Sequence, residues 1–578
     1  MQRRLWVDVP VDGARVDAAV AALGVPPVIA RLLCQRGLDE PDAARRFLAP
    51  SLSQLHDPFL LAGMRPAVDR LLGAIARREQ IAIHGDYDVD GITATVILRR
   101  AIEILGGDVA HFVPDRIKDG YGLQPETIER LHAAGAAIVV SVDCGIRAGA
   151  AARRARELGV DLIITDHHEP ESTLPDALAV INPKRHDCDY PEKMLAGVGV
   201  ALKLVQALLQ ESGRGLDLLP HFIKVAAIGT LADVVPLLGE NRVIARCGLD
   251  GLSIGPHGAG IEALLSESGL LGRALDSFHV SFVLAPRLNA AGRMSSPDIA
   301  VDLLLMRGKS DEITARARDL ARQLSEENTR RQEQEATIVA DAKRMIDKDP
   351  SVGAQNILMV AGHDWHRGVI GIVASKLVEA YCKPALVLSI ENGIAYGSGR
   401  SIAAFDLLAG LESVADVFLR FGGHKVAAGV TLDAARIGEL RTRLSQWANE
   451  RLSPEDLVPR LRIDAPLGLR EISSEVIECL NRLGPYGAAN PKPVFRASPV
   501  DLIEAPRRLK DRHLALRVKQ NGRAFRAMAW RSIDREAYLT DNRYGLELAY
   551  SLEQSEYRGE KVVELTVADM RVPQEVLV

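Results

Sequence analysis

The sequence has 578 residues, of which 47% are hydrophobic and 25% are charged, with a formal net charge of −5. This length predicts several domains, and no apolar run approaches the roughly 18 residues of a membrane span. The six cysteines form no CxxC pair and the first residues lack the apolar core of a signal peptide. Zinc-thiolate sites, disulfide frameworks and secretion are therefore disfavoured, and a cytoplasmic protein is expected.

Residues 1–80 are predicted to be an accessory segment of short helices, with an amphipathic helix near 66–78. From Ile81 onward, runs rich in Val and Ile alternate with helical patterns, which indicates a parallel sheet covered on both faces. The predicted strands are IAIHG (81–85), DVAHFVP (108–114), AAIVVSVDCG (136–145), DLIITDHH (161–168) and ALAVINP (177–183). A helical stretch then completes a first α/β domain over 81–309.

Residues 310–347 are predicted to form one connecting helix. Its middle, SEENTRRQEQE (325–335), has eleven consecutive polar residues, which predicts a helix that crosses between domains through solvent. A second α/β domain is expected over 348–455.

The chain changes character over 456–578, where short alternating strands are predicted. LALRVKQNGRAFRAMAW (514–530) predicts a hairpin that turns at Asn521-Gly522. The expected fold is thus multidomain α/β, with a parallel-sheet domain and a second α/β domain joined by a long helix, plus a C-terminal OB-like β-barrel.

Acidic and imidazole side chains repeatedly follow the strands of the first α/β domain. The stretch HGDYDVDG resembles the start of an EF-hand, but the twelfth residue from Asp86 is Ile97 rather than the required Glu, so calcium is rejected. The candidates are His84, Asp86, Asp88, Asp90, Asp143, Asp166, His167, His168 and Asp233. Taken alone, Asp143 is explained equally well as the N-cap of the next helix and as a metal ligand.

Together these residues predict a metal centre, because ligands of such sheets gather beyond the carboxyl ends of the strands. Imidazole nitrogens and carboxylate oxygens without thiolate suit Mn²⁺ or Mg²⁺. Five or more ligands exceed what a single ion needs, so a two-metal site suited to displacement at phosphorus is predicted.

Asp166-His167-His168 after a strand, with HGDYDVDG upstream and Asp143 between them, resembles the DHH phosphoesterase superfamily. FGGHKVAAG (421–429), RLNAAGR (287–293), DRIKDGYG (115–122), the connecting helix and the barrel resemble, within it, the RecJ family of bacterial single-strand-specific 5′→3′ exonucleases. The resemblance covers roughly 81–575. It identifies 81–309 as a DHH catalytic domain, 348–455 as a DHH-associated domain and 456–578 as an OB-fold.

The resemblance also implies a role for each candidate. His84 and Asp88 would hold one ion, Asp90, His167 and Asp233 the other, and Asp143 would bridge them. Asp86 and Asp166 would orient ligands or water from behind. His168 would face the scissile phosphate, and the products would be nucleoside 5′-monophosphates.

Substrate contacts rest on weaker patterns. Gly397-Ser398-Gly399-Arg400-Ser401 can present backbone N–H groups and a guanidinium to a phosphate, or it can be an ordinary glycine turn between strands. The resemblance implies a pocket for the terminal 5′-phosphate here, formed by Ser398 and Arg400 with Arg116. It further implies that Arg287 and Arg293 grip the backbone and that His424 contacts a phosphate. Tyr121 is predicted either to stack on a base or only to pack.

Residues 494–531 contain ten Lys and Arg against three Asp and Glu. These cations alternate with apolar strand residues and so share one face, as expected of an OB-fold that follows a single strand. Aromatic residues make up only 4% of the chain, so backbone electrostatics are expected to outweigh base stacking.

The leading hypothesis is a Mn²⁺- or Mg²⁺-dependent exonuclease acting on single-stranded DNA in repair and recombination. One alternative is a DHH phosphodiesterase of short oligonucleotides or cyclic dinucleotides; another is a non-catalytic DNA-binding scaffold, which typically loses ligands that are all present here. The resemblance suggests single-strand-binding protein and a repair helicase as partners of a monomer in the bacterial cytoplasm, with no membrane contact. The pattern does not distinguish Mn²⁺ from Mg²⁺ or DNA from RNA.

Overall fold

A five-stranded parallel sheet organises the first α/β domain in the computed structural model, which describes residues 4–115, 119, 122–557 and 560–573. In spatial order the strands are Val109–Phe112, Ile81–His84, Ile138–Val142, Asp161–Thr165 and Ala179–Ile181. All neighbouring pairs are parallel. The inner strands are buried on both faces, and most of their positions carry Ile, Val, Leu or Ala. Their carboxyl ends therefore open onto one common edge.

Helices cover both faces of this sheet, as predicted. The helices of this domain are Met64–Arg77, Val89–Ile104, Pro125–Ala133, Gly149–Leu158, Gly197–Glu211, Leu219–Ala232, Gly239–Ile254, Ala259–Glu267, Ser277–His279, the π-helical Val280–Leu284, Ala285–Met294 and Asp298–Leu305. The helix that follows the first strand packs along Gly197–Glu211 in the largest apolar core of the molecule. That packing brings the N-termini of both helices to the carboxyl edge of the sheet.

The connecting helix spans Asp311–Lys348, capped by the Ser310 side chain. Its predicted exposure is wrong: the middle of the helix buries Glu327, Asn328, Arg331 and Glu335. Arg331 donates to Asn328 Oδ1 at 3.0 Å and to Glu335 Oε2 at 2.7 Å, and Lys376 of the next domain also pairs with Glu335. Buried polar groups are tolerated when they satisfy one another. The helix packs against Ala259–Glu267 and Ala285–Met294 of the first α/β domain and against Arg367–Tyr381 of the second, so it lies between the two domains.

The second α/β domain is built on a mixed five-stranded sheet. Its strands, in spatial order, are Arg420–His424, Ala427–Asp433, Ile394–Arg400, Ala385–Glu391 and Leu358–His363, of which only the last two pair in parallel. Its helices are Pro350–Gly353, Arg367–Tyr381, Leu407–Glu412 and Ile437–Asn449.

The glycine-rich stretch around Ser398 is the central strand of that sheet, which corrects the turn interpretation and the prediction that its backbone N–H groups face a phosphate. It is not a turn, and its backbone N–H groups lie within ladders to both neighbouring strands instead of facing a phosphate. A Cβ on Gly397 would lie 2.5 Å from Leu388 Cδ2 and Val430 Cγ2. The glycines therefore serve close packing, which the sequence pattern cannot distinguish from a turn.

The C-terminal strands close into a barrel, as predicted. Five strands follow one another around it: Phe495–Leu502, Leu546–Tyr557, Glu560–Arg571, Arg523–Ala529 and His513–Gln520, which pairs again with the first. Short strands Ala465–Pro466 and Arg507–Leu509 extend the sheet, and helices Ser474–Leu483 and Glu536–Asp541 flank it. The predicted hairpin is confirmed, with Gln520 opposite Arg523 and positive φ at Asn521 and Gly522.

The N-terminal residues are divided between two cores. Strand Leu5–Asp8 pairs with Arg460–Ile463, and helices Gly13–Leu23, Pro27–Gln35 and Pro41–Leu48 share the apolar core of the barrel. Helix Met64–Arg77 instead belongs to the core of the first α/β domain. Within the described residues no single helix has the length and apolarity to cross a membrane; the bent pair 13–23 and 27–35 meets that test only jointly, by length and composition.

Arg242 joins the first α/β domain to the barrel and to the N-terminal helices. Its buried guanidinium donates to the carbonyl oxygens of Phe47, Arg482 and Gly484 at 2.8, 2.9 and 2.8 Å, and it lies 3.6 Å from the centre of the Phe47 ring. Burial lowers the pKa of Arg242 to about 9. The guanidinium remains charged at neutral pH and is stabilised by these carbonyls.

We expect Arg242→Ala to lower the free energy of unfolding by about 3 kcal/mol or more, because it leaves buried carbonyl oxygens without donors and removes charge-assisted hydrogen bonds. The measurement is a urea or thermal unfolding curve. Arg246→Ala is the matched control on the same helix; its ion pair with Asp250 is surface-exposed, so its loss should cost under about 1 kcal/mol. Equal losses in the two variants would contradict the proposed role of Arg242.

Candidate metal centre and phosphate pocket

His84 ends the first strand at the carboxyl edge of the sheet, and Asp86, Asp88 and Asp90 follow it directly. His84 is fully buried, with Nδ1 3.4 Å from Cys144 Sγ, and no described residue hydrogen-bonds its Nε2. Burial lowers the pKa of His84 to about 4, so the ring is neutral at physiological pH. Asp88 caps the following helix by accepting from the N–H groups of Asp90 and Gly91.

Asp90 is held by the start of a second helix. Its two oxygens accept from Gly197 N at 2.7 Å and Val198 N at 2.8 Å, at the N-terminus of Gly197–Glu211. Burial and the neighbouring charge of Asp88 raise the pKa of Asp90 to about 7. The carboxylate is thus fixed in position although its charge is disfavoured.

Asp143 occupies a strained position at the end of its strand. Its φ is +62°, an uncommon value for a residue with a Cβ, and its side chain is buried. The capping interpretation is wrong, because the next helix begins at Gly149 with no side-chain cap. A Cβ at Gly197 would lie 2.2 Å from Asp143 Oδ1, so only glycine lets that helix approach the carboxylate.

The Asp166-His167-His168 turn orients both of its imidazoles. Asp166 Oδ1 accepts from His168 Nδ1 at 2.7 Å, and Oδ2 accepts from Ile146 N at 2.8 Å. Burial opposes the charge of Asp166, but the hydrogen bonds from His168 prevail and lower its pKa. For His168, burial works to lower the pKa, and the bond to Asp166 prevails and raises it. The bond to Asp166 thus favours the protonated form of His168, and its second ring nitrogen is the one that can act on a substrate.

His167 lies at the centre of the cluster. Its Nδ1 is 3.1 Å from the Leu195 carbonyl, which makes Nδ1 the protonated nitrogen. Its Nε2 lies 3.3 Å from Asp143 Oδ1, 3.7 Å from Asp233 Oδ2 and 4.0 Å from Asp90 Oδ2. Burial lowers the pKa of His167 to about 4, so a lone pair faces three carboxylates.

Five of the six predicted ligands, all except His84, therefore fall into close groups, and the donor set fits divalent cations. Ligand atoms lie within 4.8 Å of one another in the groups Asp90–His167–Asp233, Asp86–Asp88–Asp143 and Asp143–His167–His168. Asp143 belongs to two of these groups, as a bridging ligand must. Burial, with the charges of Asp90 and Asp88, raises the pKa of Asp233 to about 9, and that of Asp143 also rises well above its usual value.

Two buried atoms support the same conclusion. His84 Nε2 and Asp143 Oδ1 accept no hydrogen bond from the described part of the chain. Buried polar atoms without partners are costly, and oxygen and neutral nitrogen donors are those that Mn²⁺ and Mg²⁺ accept. Asp86 lies nearer the centre than the resemblance implied, since it forms one group with Asp88 and Asp143.

Sequence reasoning missed three supports of this centre. Buried Asn182 donates from Nδ2 to the His168 carbonyl at 2.9 Å, the Leu195 carbonyl orients His167, and Gly197 makes room for Asp143. Asn182 lies near the end of the predicted strand 177–183 and directly follows the observed strand Ala179–Ile181, which was a usable signal. The Leu195 carbonyl and the close approach at Gly197 are backbone features, which no residue pattern predicts.

A cavity of about 720 Å³ opens between the first α/β domain and the second. Four arginines line it together with Ser398: Arg293, Arg367, Arg400 and Arg420. Arg400 donates to Ser398 Oγ at 3.1 Å, and Arg293 donates to the Gly368 carbonyl at 2.8 Å across the domain boundary. None of the described lining residues is acidic, so the cavity suits a phosphate. Arg367 and Arg420 were not anticipated.

The remaining predicted contacts are more scattered. Arg287 donates to Ser325 Oγ at 3.2 Å and to the Val283 carbonyl at 2.6 Å, so its guanidinium is partly committed within the protein. His424 is exposed at a strand end and is not among the residues that line the cavity. Arg116 and Tyr121 lie outside the described residues.

The basic half of the barrel is partly neutralised. Salt bridges join Arg496 to Asp8, Arg508 to Glu536 and Arg517 to Glu504. Lys519 and Arg523 are exposed on the hairpin, and Arg517 lies opposite Arg526 across it. The shared basic face that the alternation predicts is present along this hairpin.

Family comparisons agree with the arrangement of domains. The chain matches the DHH family, N-terminal domain, over residues 80–230, the DHHA1 domain over 353–450 and the RecJ OB domain over 463–569. It is 35% identical over 573 residues to the single-stranded-DNA-specific exonuclease RecJ of Salmonella typhimurium, covering 96% of this chain and 97% of that protein. The RecJ of Bacillus subtilis is 41% identical over 83% of this chain, which spans only 60% of that relative.

A solved structure gives the same result. The crystal structure of RecJ from Thermus thermophilus in complex with Mn²⁺ superposes with a TM-score of 0.83 at 32% identity, covering 99% of this chain and 80% of that one. The sequence identity, the order of the three matched domains and the superposed fold lead to one conclusion: the chain belongs to the RecJ family of DHH phosphoesterases.

Proposed function

We propose that this protein is a single-stranded-DNA-specific 5′→3′ exonuclease that hydrolyses phosphodiester bonds with two Mn²⁺ or Mg²⁺ ions and releases nucleoside 5′-monophosphates. The observation that carries the proposal is the environment of His167, whose neutral Nε2 faces Asp90, Asp143 and Asp233. Such crowding of buried acceptors is unfavourable without cations. The names of the relatives supply the substrate class, and a role in DNA repair and recombination follows from it.

The ligand roles follow the geometry. Asp90, His167 and Asp233 would hold one ion, and Asp88, with Asp86 close by and with His84 on the family resemblance, would hold the other. Asp143, which is grouped with Asp86 and Asp88 and lies 3.3 Å from His167 Nε2, would bridge them. Bound divalent cations would neutralise the carboxylates and the charge that develops on the reacting phosphate. The chain itself fixes the ligands, through the amides that hold Asp90 and the carbonyl that orients His167.

His168 would act on the leaving group. Asp166 holds its Nδ1 and Asn182 holds its backbone carbonyl, so the ring has a fixed orientation next to Asp143. The raised pKa of His168 favours the imidazolium, which can donate a hydrogen bond to the phosphate or a proton to the departing oxygen.

The arginine-lined cavity would bind the 5′-terminal phosphate, with Arg400 and Ser398 as its central contacts. Arg287 and Arg293 would contact the backbone near the metals, and Arg116, Tyr121 and His424 are proposed as further contacts on the family resemblance alone. The exposed cations of the barrel hairpin would bind the strand farther from its end. A barrel of this kind favours a long strand over a dinucleotide as substrate.

We further propose a monomer of the bacterial cytoplasm that works with single-strand-binding protein and a repair helicase. Bacterial relatives and six unpaired cysteines support the compartment. The partners rest on the family resemblance.

The proposed activity is tested with Asp143→Ala, which removes the carboxylate shared by both ligand groups. We expect cleavage of a 5′-phosphorylated single strand with Mn²⁺ to fall at least about a thousandfold, because the site loses charge stabilisation of the transition state, while strand binding is largely retained. Time-resolved product analysis on end-labelled strands measures rate, polarity and product. Asp217→Ala, an exposed carboxylate, is the control. Undiminished cleavage by Asp143→Ala would disprove the two-metal assignment.

The raised carboxyl pKa values predict a pH-dependent stability. An unfolded Asp titrates near 3.9, whereas Asp90 titrates at about 7 and Asp233 at about 9 in the metal-free protein. The folded state therefore holds more protons, and its stability falls as pH rises towards 9. We expect the melting temperature without metal to decline between pH 7 and 8.5, Mn²⁺ to reverse the decline, and Asp233→Asn to flatten it. A Mn²⁺-independent melting temperature at pH 8 would contradict the proposed site.

Arg400→Gln tests the proposed phosphate pocket. Loss of this guanidinium should reduce the preference for a 5′-phosphate over a 5′-hydroxyl end by about tenfold, the worth of one charge-assisted contact. The ratio of kcat/KM for the two ends is the measurement. Arg451→Gln removes an exposed arginine of the same domain that does not line the cavity, and it should leave the ratio unchanged. An unaltered ratio in Arg400→Gln would remove this residue from the pocket.

A further inference from the structure

Two phenylalanines lie stacked on each other at the surface of the catalytic domain. The ring centres of Phe278 and Phe282 are 5.0 Å apart with planes inclined by 28°, and the residues are 58% and 69% exposed. Neither ring belongs to an apolar core of the described residues. Aromatic side chains bury large areas when they pack, so an exposed stacked pair is not explained by the fold.

The segment that carries these rings is tied at both ends to functional parts of the molecule. Ser281 Oγ donates to the Leu231 carbonyl at 3.0 Å, two residues before Asp233. Ser277 Oγ donates to the Tyr486 carbonyl at 2.6 Å, next to the point where Leu237 N donates to Ala488 O at 2.9 Å. The rings are thus held between a proposed metal ligand and the junction with the barrel.

The local structure around the rings is unusual. Residues Val280–Leu284 form a π-helix, a conformation frequent at functional sites. Val234, which directly follows Asp233, is 68% exposed with a φ of +62°. We call the stacked pair Phe278 and Phe282 the apolar ledge. Arg287, in the helix that continues this segment, lies within hydrogen-bond distance of the Val283 carbonyl and adds a cation beside the ledge.

We propose that the apolar ledge is a base-stacking platform for the single strand between the metal centre and the barrel. The proposal rests on the proposed function. The ledge lies between Asp233 and the loop that leads into the barrel, on the route of a strand whose 5′ end is at the metals and whose later nucleotides reach the barrel. Aromatic faces stack with any base, so the platform holds the strand without reading its sequence.

The platform also gives a physical basis for strand selectivity. The bases of a duplex are already stacked and paired, and they cannot present faces to the rings without being unstacked first. The location between the metal centre and the basic barrel is complementary to a polyanionic strand, and for this reason we assign the ledge to nucleic acid rather than to a protein partner.

The test is binding of a 5′-phosphorylated single strand, measured by fluorescence anisotropy in the Asp143→Ala background to prevent cleavage. Phe278→Ala and Phe282→Ala should each weaken binding roughly tenfold, the usual effect of removing a stacked aromatic. Phe282→Trp should retain tight binding. Ile254→Ala, an 84% exposed apolar residue of the same domain, is the control and should have no effect.

Abasic strands separate stacking from a general structural effect. In the parent Asp143→Ala protein, a strand with one abasic nucleotide should bind more weakly when that nucleotide is at one or two particular positions. At those positions, the abasic nucleotide should not weaken binding further in the Phe278→Ala and Phe282→Ala variants. Additive losses, or binding by Phe278→Ala and Phe282→Ala equal to that of the parent, would overturn the proposal and point to a protein docking surface. Melting temperatures of the variants should match the parent, because both rings are exposed.

The outcome is independent of the nuclease assay. If the unmodified protein degrades the strand but the ledge variants bind it normally, the ledge assignment fails and the exonuclease proposal stands. If the abasic coupling is found but the unmodified protein releases no mononucleotides with Mn²⁺ or Mg²⁺, the proposed function fails and the ledge is a binding site only.

Discussion

The repulsion among buried carboxylates at one edge of a parallel sheet is the constraint on which this structure depends. Asp90, Asp143 and Asp233 approach the same imidazole within 4 Å, and burial raises the pKa of each carboxyl. A fold tolerates such a cluster only where rigid elements prevent the side chains from separating. That rigidity comes from the amides of Gly197 and Val198, which hold Asp90, and from the positive φ of Asp143. It also comes from the turn at Asp166, whose Oδ1 accepts from His167 N.

The same logic extends outward from the centre. The connecting helix fixes one α/β domain against the other through buried polar contacts, so the arginine-lined cavity keeps a defined position relative to the metal ligands. Arg242 and the N-terminal strand fix the barrel in a similar way. Charged residues such as Arg242 and Arg331 are thus buried at the contacts between domains. The apolar rings of Phe278 and Phe282, in contrast, are exposed near the proposed path of the strand.

Local patterns succeeded where one physical preference dominated. Val- and Ile-rich runs predicted the buried strands, Asn521-Gly522 predicted the hairpin, and the acidic and histidine residues after strands predicted which side chains would meet. They failed where tertiary contacts overrode local preference. One face of the polar middle of the connecting helix is buried, where Arg331 bonds to Asn328 and Glu335. The glycines around Ser398 form a central strand because neighbouring side chains need the space.

The sequence by itself determined the family, the order of the domains and the chemical nature of the centre, since residue types and strand periodicity follow directly from the chain. Only the tertiary structure decided that Asp86 groups with Asp88 and Asp143, that Arg367 and Arg420 join Arg400 in one cavity, and that residues 4–48 pack on the barrel. These facts depend on distances between segments far apart in sequence. Such distances are fixed by packing and mutual satisfaction of buried groups, which no local pattern encodes.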